Sequence, residues 1–215
     1  NLEHQALHDT LTGLLNRRGL AAAMNADHVR GGSLAYIDLD RFKLVNDLCG
    51  HTAGDDLLVE LTEKIGRACA QSKARIARVG GDEFAVWLGG EKTLDEIRAL
   101  SEEIIQMIET HHFAWLGQPM HLGASIGLAL SLPGDIKREV IARADAACRL
   151  AKEPGSAKIL VYEEADPALV KSRQEEQWAA RLPQLIREGR FQLYGQRVIS
   201  LQPGNESGHI EILLR

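Results

Sequence analysis

The sequence has few cysteines and aromatic residues, and it lacks long apolar runs. Cys49, Cys69 and Cys148 form no CxxC pair, so we expect neither a zinc site nor a disulfide framework. No apolar run approaches the roughly 18 residues of a membrane-spanning helix. The first residues, NLEHQALHDT, lack the basic and then apolar layout of a signal peptide. We therefore expect a cytoplasmic protein.

The sequence also lacks a basic cluster. Its 25 basic residues are scattered among 30 acidic ones, and the net charge of −5 argues against a nucleic-acid surface. Small anionic substrates stay open, because they need only a local pocket. The 215 residues are 45% hydrophobic and 26% charged, as in ordinary globular proteins, and the length suggests more than one domain. We expect both ends to be cuts in a longer protein, which leaves an upstream sensor or membrane anchor open.

Hydrophobic periodicity predicts alternating strands and helices up to about residue 162. A polar stretch punctuated by glycine, DRFKLVNDLCGHTAGDD, follows the first strand and is interpreted as a connection. The predicted strands are 33–38, 74–79, 83–88, 123–131 and 158–162, and the predicted helices begin at 56, 94 and 136. This order predicts an α+β palm, in which helices cover one face of a mostly antiparallel sheet.

The remaining residues suggest the opening of a second domain. The charged stretch EEADPALVKS contains a proline and is typical of a linker. Beyond it, Trp178, Leu182 and Ile186 mark an amphipathic helix, and two strand-like runs flank PGNESG. Because about 40 residues are too few to close a core, we divide the chain into a domain at 1–165, a linker at 166–175 and an incomplete domain at 176–215.

Four acidic residues are candidates for a metal site. Asp38 and Asp40 flank Leu39 at the end of the first strand, and Asp82 and Glu83 lie on the turn of the predicted hairpin. One such pair alone would be interpreted as solvated acids. Carboxylates that converge repel one another unless a cation neutralises them, and hard cations such as magnesium prefer oxygen ligands. The four acids together therefore favour a divalent metal site.

The turn between the two hairpin strands reads GGDEF, residues 80–84. Gly80 and Gly81 have no side chains, so backbone N–H groups there can approach phosphate oxygens closely. With Arg78 in ARVGGDEF, the turn resembles the signature of the GGDEF family of diguanylate cyclases. Other segments resemble the family in the expected order: DTLTGLLNRRGL (9–20), YIDLDRFKLVNDLCGHTAGDDLL (36–58), LGASIGLAL (122–130) and ADAACRLAKEPG (144–155).

The resemblance implies an activity, a metal requirement and a dimer. Each domain would bind one GTP with two magnesium or manganese ions. Two domains would meet face to face as a homodimer, make cyclic di-GMP and release two pyrophosphates. By the same resemblance Asp38, the Leu39 carbonyl and Asp82 would hold the metals. Glu83 would assist metal binding or deprotonate the attacking ribose 3′-hydroxyl.

The residues that the resemblance assigns to GTP are Phe42, Lys43, Asn46, His51, Asp55, Gly80, Gly81 and Lys152. Lys43, also counted as catalytic, and Lys152 would contact the triphosphate. Asn46 and Asp55 would hydrogen-bond the guanine edge, whose N–H donors suit a carboxylate acceptor.

Simpler interpretations of three of these residues stay open. Phe42 would serve core packing, and His51 would cap the GHTAGD turn. Lys152 would be favoured at a helix C-terminus by the helix dipole alone.

The chain departs from the family pattern at two places. Arg149, Ser156 and Ala157 stand where many members have tyrosine, arginine and asparagine, which implies a lost phosphate contact. Gln71 and Ala74 replace the arginine and aspartate of an inhibitory RxxD product site. Without that guanidinium and carboxylate, we expect no feedback by cyclic di-GMP at this place.

The last residues carry a second resemblance. EGRFQLYGQRVISLQPGNESGHIEILLR (188–215) resembles the start of an EAL phosphodiesterase domain, which hydrolyses cyclic di-GMP. Glu211 would match its first metal-binding glutamate, Arg215 its phosphate-contacting arginine and Gln196 its early glutamine, whereas Arg197 replaces the usual proline. The 215 residues alone could not assemble a phosphodiesterase site.

Three functional hypotheses follow. The first is a cyclase that makes cyclic di-GMP within a GGDEF-EAL tandem protein. The second is a GTP-binding module that does not turn GTP over and instead biases the adjacent EAL domain. The third, an interaction domain without nucleotide, would leave the acidic cluster unexplained.

Overall fold

The computed structural model describes residues 6–27, 29–90, 93–116, 118–156, 158–190, 192–198 and 209–214. The chain divides into two compact units, Asn1–Leu169 and Val170–Arg215. In chain order the elements are α1 (Arg17–Ala26), β1 (Gly32–Asp40), α2 (Phe42–Cys49), α3 (His51–Ala68), β2 (Arg75–Arg78), β3 (Glu83–Gly89), α4 (Leu94–Glu109), β4 (Phe113–Trp115), β5 (Gln118–Met120), β6 (Gly123–Ser131), α5 (Lys137–Ala151), β7 (Ile159–Val161), α6 (Pro167–Arg187), β8 (Leu193–Val198) and β9 (His209–Leu214). Among the described helices, none combines the length and apolarity needed to cross a membrane.

The first unit is built on a five-stranded sheet of order β2-β3-β1-β6-β7. The pairings β2–β3, β3–β1 and β1–β6 are antiparallel, as expected, and β7 lies parallel to β6. The sheet is therefore mixed. Strand β1 lies at its centre, and seven of its nine residues are buried, as in strands that are covered on both faces.

Helices cover both faces of this sheet, so the expectation of one covered face was wrong. Ile37 and Leu39 of β1 face a core built with α2, α3 and α4. Leu34 and Tyr36 face a second core built with α1 and α5. Alternate residues of a strand point to opposite faces, and the apolar run SLAYID supplies both cores. At Gly127 of β6 a Cβ atom would lie 2.0 Å from a backbone oxygen of α5, so only glycine permits this approach.

The segment after β1 is helical, which corrects its interpretation as a connection. Helix α2 follows Arg41, and α3 begins at His51 rather than at Asp56. Gly50 separates the two helices with a φ of 87°, a conformation that favours glycine. Only Phe42 and Val45 of α2 are buried, so its apolar period is too short to detect in the sequence.

The second unit contains most of α6 and a two-stranded antiparallel hairpin of β8 and β9. The two strands and the amphipathic helix agree with the prediction. Helix α6 begins at Pro167, so most of the stretch 166–175 is helical. Within the hairpin, Gln196 lies directly opposite Glu211. Arg215 lies outside the described residues.

Candidate functional site

Two acidic side chains lie at the carboxyl end of the central strand. Asp38 and Asp40 are two residues apart in β1 and share one face of the sheet. Leu39 between them points into the core and is 1% exposed. Asp38 lies opposite Glu83 in the β1–β3 pairing, and the Leu39 N–H donates to the Asp82 carbonyl at 3.3 Å. The pairing thus places the GGDEF turn beside the end of β1.

Asp38 carries a half-buried carboxyl group with a strongly shifted pKa. Its side chain is 15% exposed, and Oδ1 lies 2.5 Å from the Lys152 ammonium at the end of α5. Burial raises the pKa of Asp38 to about 6; Lys152 opposes this, whereas the carboxylates of Asp82 and Glu83 add to it. Burial alone would lower the pKa of Lys152, but its contact with Asp38 raises it. The end of β1 therefore concentrates negative charge that a cation stabilises.

Asp40 has a separate set of partners. The Ser125 hydroxyl donates to Oδ1 of Asp40 at 2.9 Å, and the Lys158 ammonium forms an ion pair with Oδ2. Ser125 comes from β6, and Lys158 directly precedes β7. The sequence analysis missed both partners, since neither follows from local patterns without the order of the strands in the sheet.

Glu83 lies between a tyrosine and a glycine. The Glu83 carboxylate lies near Tyr36, whose pKa is raised mainly by burial and further by Glu83. A Cβ atom at Gly80 would lie 2.3 Å from Oε2 of Glu83, whereas one at Gly81 would meet nothing within 4 Å. Gly80 therefore leaves room for the Glu83 carboxylate, and Gly81 is exposed at the tip of the turn.

A half-buried arginine braces the GGDEF turn. Arg78, whose side chain is 14% exposed, donates through Nε and Nη2 to the Gly81 carbonyl at 3.0 and 2.7 Å. Its Nη1 donates to Asp9 at 3.1 Å. Burial alone would raise the pKa of Asp9, but hydrogen bonds from Thr12 and Arg78 lower it. The segment DTLTGLLN thus fixes the turn from outside, a role that the sequence analysis did not recognise.

The residues assigned to guanine lie on α2 and α3. Asn46 is half-buried, and its Oδ1 would lie 2.1 Å from a Cβ atom at Gly54, so the glycine allows this side chain to pack against α3. His51 and Asp55 are exposed in the first turns of α3. Phe42 is 8% exposed and belongs to the core, which supports the packing interpretation.

Three further predicted positions lie on α2, on α5 and just after α3. Lys43 is exposed on α2. Arg149 is exposed on α5 and pairs with Asp145 at 2.7 Å on its own helix. Gln71 lines a separate cavity of about 540 Å³ that includes one arginine and two glutamates.

The acids fit a divalent cation chemically, although they do not form a closed ligand cage. Within the described ranges, no three His, Cys, Asp or Glu side chains are close enough to hold a metal ion. Oδ1 of Asp38 is buried, and among the described residues it accepts no hydrogen bond of normal geometry, despite the nearby ammonium of Lys152. A buried carboxylate oxygen without a hydrogen bond is a donor that magnesium or manganese prefers.

Fold and site together define an α+β domain whose central strand ends in a cluster of carboxylates and lysines. Residues 6–158 match the family described as "Diguanylate cyclase, GGDEF domain". The chain therefore belongs to the GGDEF family, whose diguanylate cyclases use divalent metal ions.

Individual proteins show the same relationship. The chain is 34% identical over its whole length to "Cyclic di-GMP phosphodiesterase PdeB" of Shewanella oneidensis, of which it covers 25%. It is 36% identical over 93% of its length to "Probable diguanylate cyclase DgcE" of Escherichia coli, of which it covers 18%. The crystal structure of the coiled coil and GGDEF domain of DgcB from Caulobacter crescentus, in complex with c-di-GMP, superposes with a TM-score of 0.67. That match has 27% identity and covers 74% of this chain and 87% of the DgcB chain. The chain thus spans a quarter or less of these two curated relatives.

Proposed function

We propose that residues 1–165 form a diguanylate cyclase, which makes cyclic di-GMP from two GTP molecules and releases two pyrophosphates. The observation that carries the proposal is the half-buried Asp38 carboxyl, with a pKa of about 6, beside the braced GGDEF turn. A carboxyl group whose pKa is raised by burial and by neighbouring carboxylates is typical of a site that binds a cation.

Four groups would hold the metal ions: the carboxylates of Asp38, Asp82 and Glu83 and the carbonyl of Leu39. When bound, magnesium or manganese would activate the ribose hydroxyl and neutralise the charge on the leaving pyrophosphate. Two domains would each bring one GTP, so catalysis would require a homodimer.

Protein side chains would orient the phosphates and move the proton. Lys152 would exchange its contact with Asp38 for one with the triphosphate, and the exposed Lys43 would contact the same group. Glu83, which lies near Tyr36, would accept the proton of the 3′-hydroxyl. The exposed Gly81 would present its backbone to phosphate oxygens, while Gly80, which has no side chain, leaves space for the Glu83 carboxylate.

The base would be recognised at the junction of α2 and α3. Asp55 would accept hydrogen bonds from guanine N–H groups, and the half-buried amide of Asn46 would pair with the remaining donors and acceptors. His51 at the start of α3 would shape this segment from its exposed side, and the buried Phe42 would support it from the core.

Replacement of Asp82 tests this proposal. Incubation of the wild-type chain at high concentration with GTP and magnesium or manganese should give cyclic di-GMP, detected by chromatography. Asp82→Ala should abolish turnover, and Glu102→Ala, an exposed acid on α4, should leave it unchanged. Retention of most activity in Asp82→Ala would remove this residue from the site.

A second candidate is a GTP-binding module that regulates an adjacent EAL domain without turnover. It is favoured by Arg149, which is paired with Asp145 on its own helix, and by the exposed Ser156, a short side chain at an expected phosphate contact. GTP binding without product, even after fusion of a dimerising segment at the N-terminus, would establish this function over the first.

We further propose that 166–175 is a linker and that 176–215 opens an EAL phosphodiesterase domain. The support is the cross-strand pair of Gln196 and Glu211 and the match to PdeB over the whole chain. In the full-length protein Glu211→Ala should abolish hydrolysis of cyclic di-GMP. Unchanged hydrolysis would exclude Glu211 as a metal ligand.

A further inference from the structure

A cationic cavity of about 440 Å³ opens beside the end of β1. Its charged residues come from the end of β1, the residue after it and the segment after α5, namely Asp40, Arg41, Lys152, Glu153 and Lys158; Ser125 of β6 and Ser156 also line it. Three cations and two acids line it, so its walls carry a net positive charge. Among the described residues that line it none is aromatic, so they offer no surface on which a base could stack. The cavity suits a small anion better than a nucleobase.

Two lysine–aspartate pairs stand side by side at this cavity. Lys152 pairs with Asp38 and Lys158 with Asp40, and the two aspartates share one face of β1. The Asp40 carboxylate also accepts a hydrogen bond from Ser125, which is 1% exposed. Asp40 is thus fixed in the wall by a buried donor, and it holds the Lys158 ammonium at the rim of the cavity.

The side chain of Lys158 has freedom to change partners. It is 51% exposed, against 21% for Asp40. An exposed ion pair is worth no more than about 1 kcal/mol, so a phosphate group of higher charge can compete with Asp40 for the ammonium. After Lys158 has moved from Asp40 to the phosphate, the Asp40 carboxylate would still accept the hydrogen bond from Ser125.

We propose that Lys158 is a further phosphate-binding residue, and that Asp40, fixed by Ser125, holds it at the cavity until phosphate takes its place. The ligand is the polyphosphate tail of a nucleoside triphosphate, whose base is held elsewhere. This inference rests on the proposed function. A GTP molecule bound next to Asp38 would bring its phosphates to Lys152, and Lys152 and Lys158 line the same cavity. Lys158 would then supply a cation in the segment where Ser156 offers none.

Nucleotide binding by the whole chain tests the inference. Titration calorimetry with GTP and with GMP, in calcium to prevent turnover, would compare the wild type with Lys158→Ala, Lys158→Arg and Lys64→Ala. Lys64, on α3 outside the cavity, is the matched control. One lost charge-assisted contact should weaken GTP binding about tenfold or more. GMP binding should stay unchanged, Lys158→Arg should keep most of the affinity, and Lys64→Ala should match the wild type.

The outcomes separate the inference from the proposed function. Equal GTP affinity in Lys158→Ala and wild type would overturn the role of Lys158 and leave the cyclase proposal standing. Equal losses for GTP and GMP would also overturn it, because they indicate a structural effect rather than a phosphate contact. Failure of the wild type to bind GTP would instead overturn the proposed function, and with it this inference.

Discussion

Replacement of Asp38 by asparagine should stabilise the metal-free protein near neutral pH while it removes metal binding. The pKa of Asp38 is raised from 3.8 to about 6, mainly by burial. Because the folded state disfavours the charged form, ionisation of Asp38 costs stability above pH 6, and this cost disappears below about pH 4. At about 1.4 kcal/mol for each pKa unit, the cost at pH 7 approaches 3 kcal/mol.

The asparagine variant escapes this cost but leaves Lys152 without its anionic partner. The pKa of about 6 already includes the attraction between that ammonium and the Asp38 carboxylate, so the lost pair is not subtracted again. We therefore expect Asp38→Asn to raise the free energy of unfolding by about 3 kcal/mol at pH 7. The difference in unfolding free energy between Asp38→Asn and the wild type should shrink as the pH falls from 6 towards 4, because the wild-type carboxyl becomes protonated.

Urea denaturation in a chelator, at several pH values between 4.5 and 7.5, measures this effect. Asp47→Asn, an exposed acid on α2, serves as the control and should match the wild type. In a second series without chelator, added manganese should raise the free energy of unfolding of the wild type but not that of Asp38→Asn, since only the wild type has the Asp38 carboxylate. A variant that is less stable than the wild type at pH 7, or a difference that does not depend on pH, would refute the reasoning.

Three further variants probe the turn and the base site. Arg78→Ala should destabilise the protein by about 1 kcal/mol, because it removes the hydrogen bonds to the exposed Gly81 carbonyl and to the half-buried Asp9 carboxylate, and should lower turnover; equal melting temperatures of variant and wild type would contradict this role of Arg78. Gly80→Ala should lower turnover because its Cβ collides with a carboxylate, whereas Gly81→Ala should not; equal rates would remove the distinction. Asp55→Ala should raise KM for GTP more than it lowers kcat, with Asp56→Ala as control; an unchanged KM would exclude Asp55 from base recognition.

Local signals in the sequence predicted the parts of the site that lie close together in the chain. The apolar run before Asp38 and the glycines before Asp82 define a strand end and a hairpin turn by themselves. The antiparallel pairing of β1 with β3, which brings these two parts together, does not follow from either segment alone.

Partners that are distant in the chain could not be predicted in this way. Lys158 meets Asp40 across 118 positions, and Arg78 meets Asp9 across 69. Both contacts depend on the order of strands in the sheet and on where the first segment docks. Periodicity also fails for short elements such as α2, where two buried residues leave no repeat to detect.

The most direct test of the central claim is product analysis of GTP turnover by this chain with magnesium or manganese. We predict one cyclic di-GMP and two pyrophosphates for every two GTP consumed, with a rate that rises more than in proportion to protein concentration, because two loaded domains must meet. A chain that binds GTP tightly and yields no cyclic di-GMP, even when it is dimerised, would contradict the account.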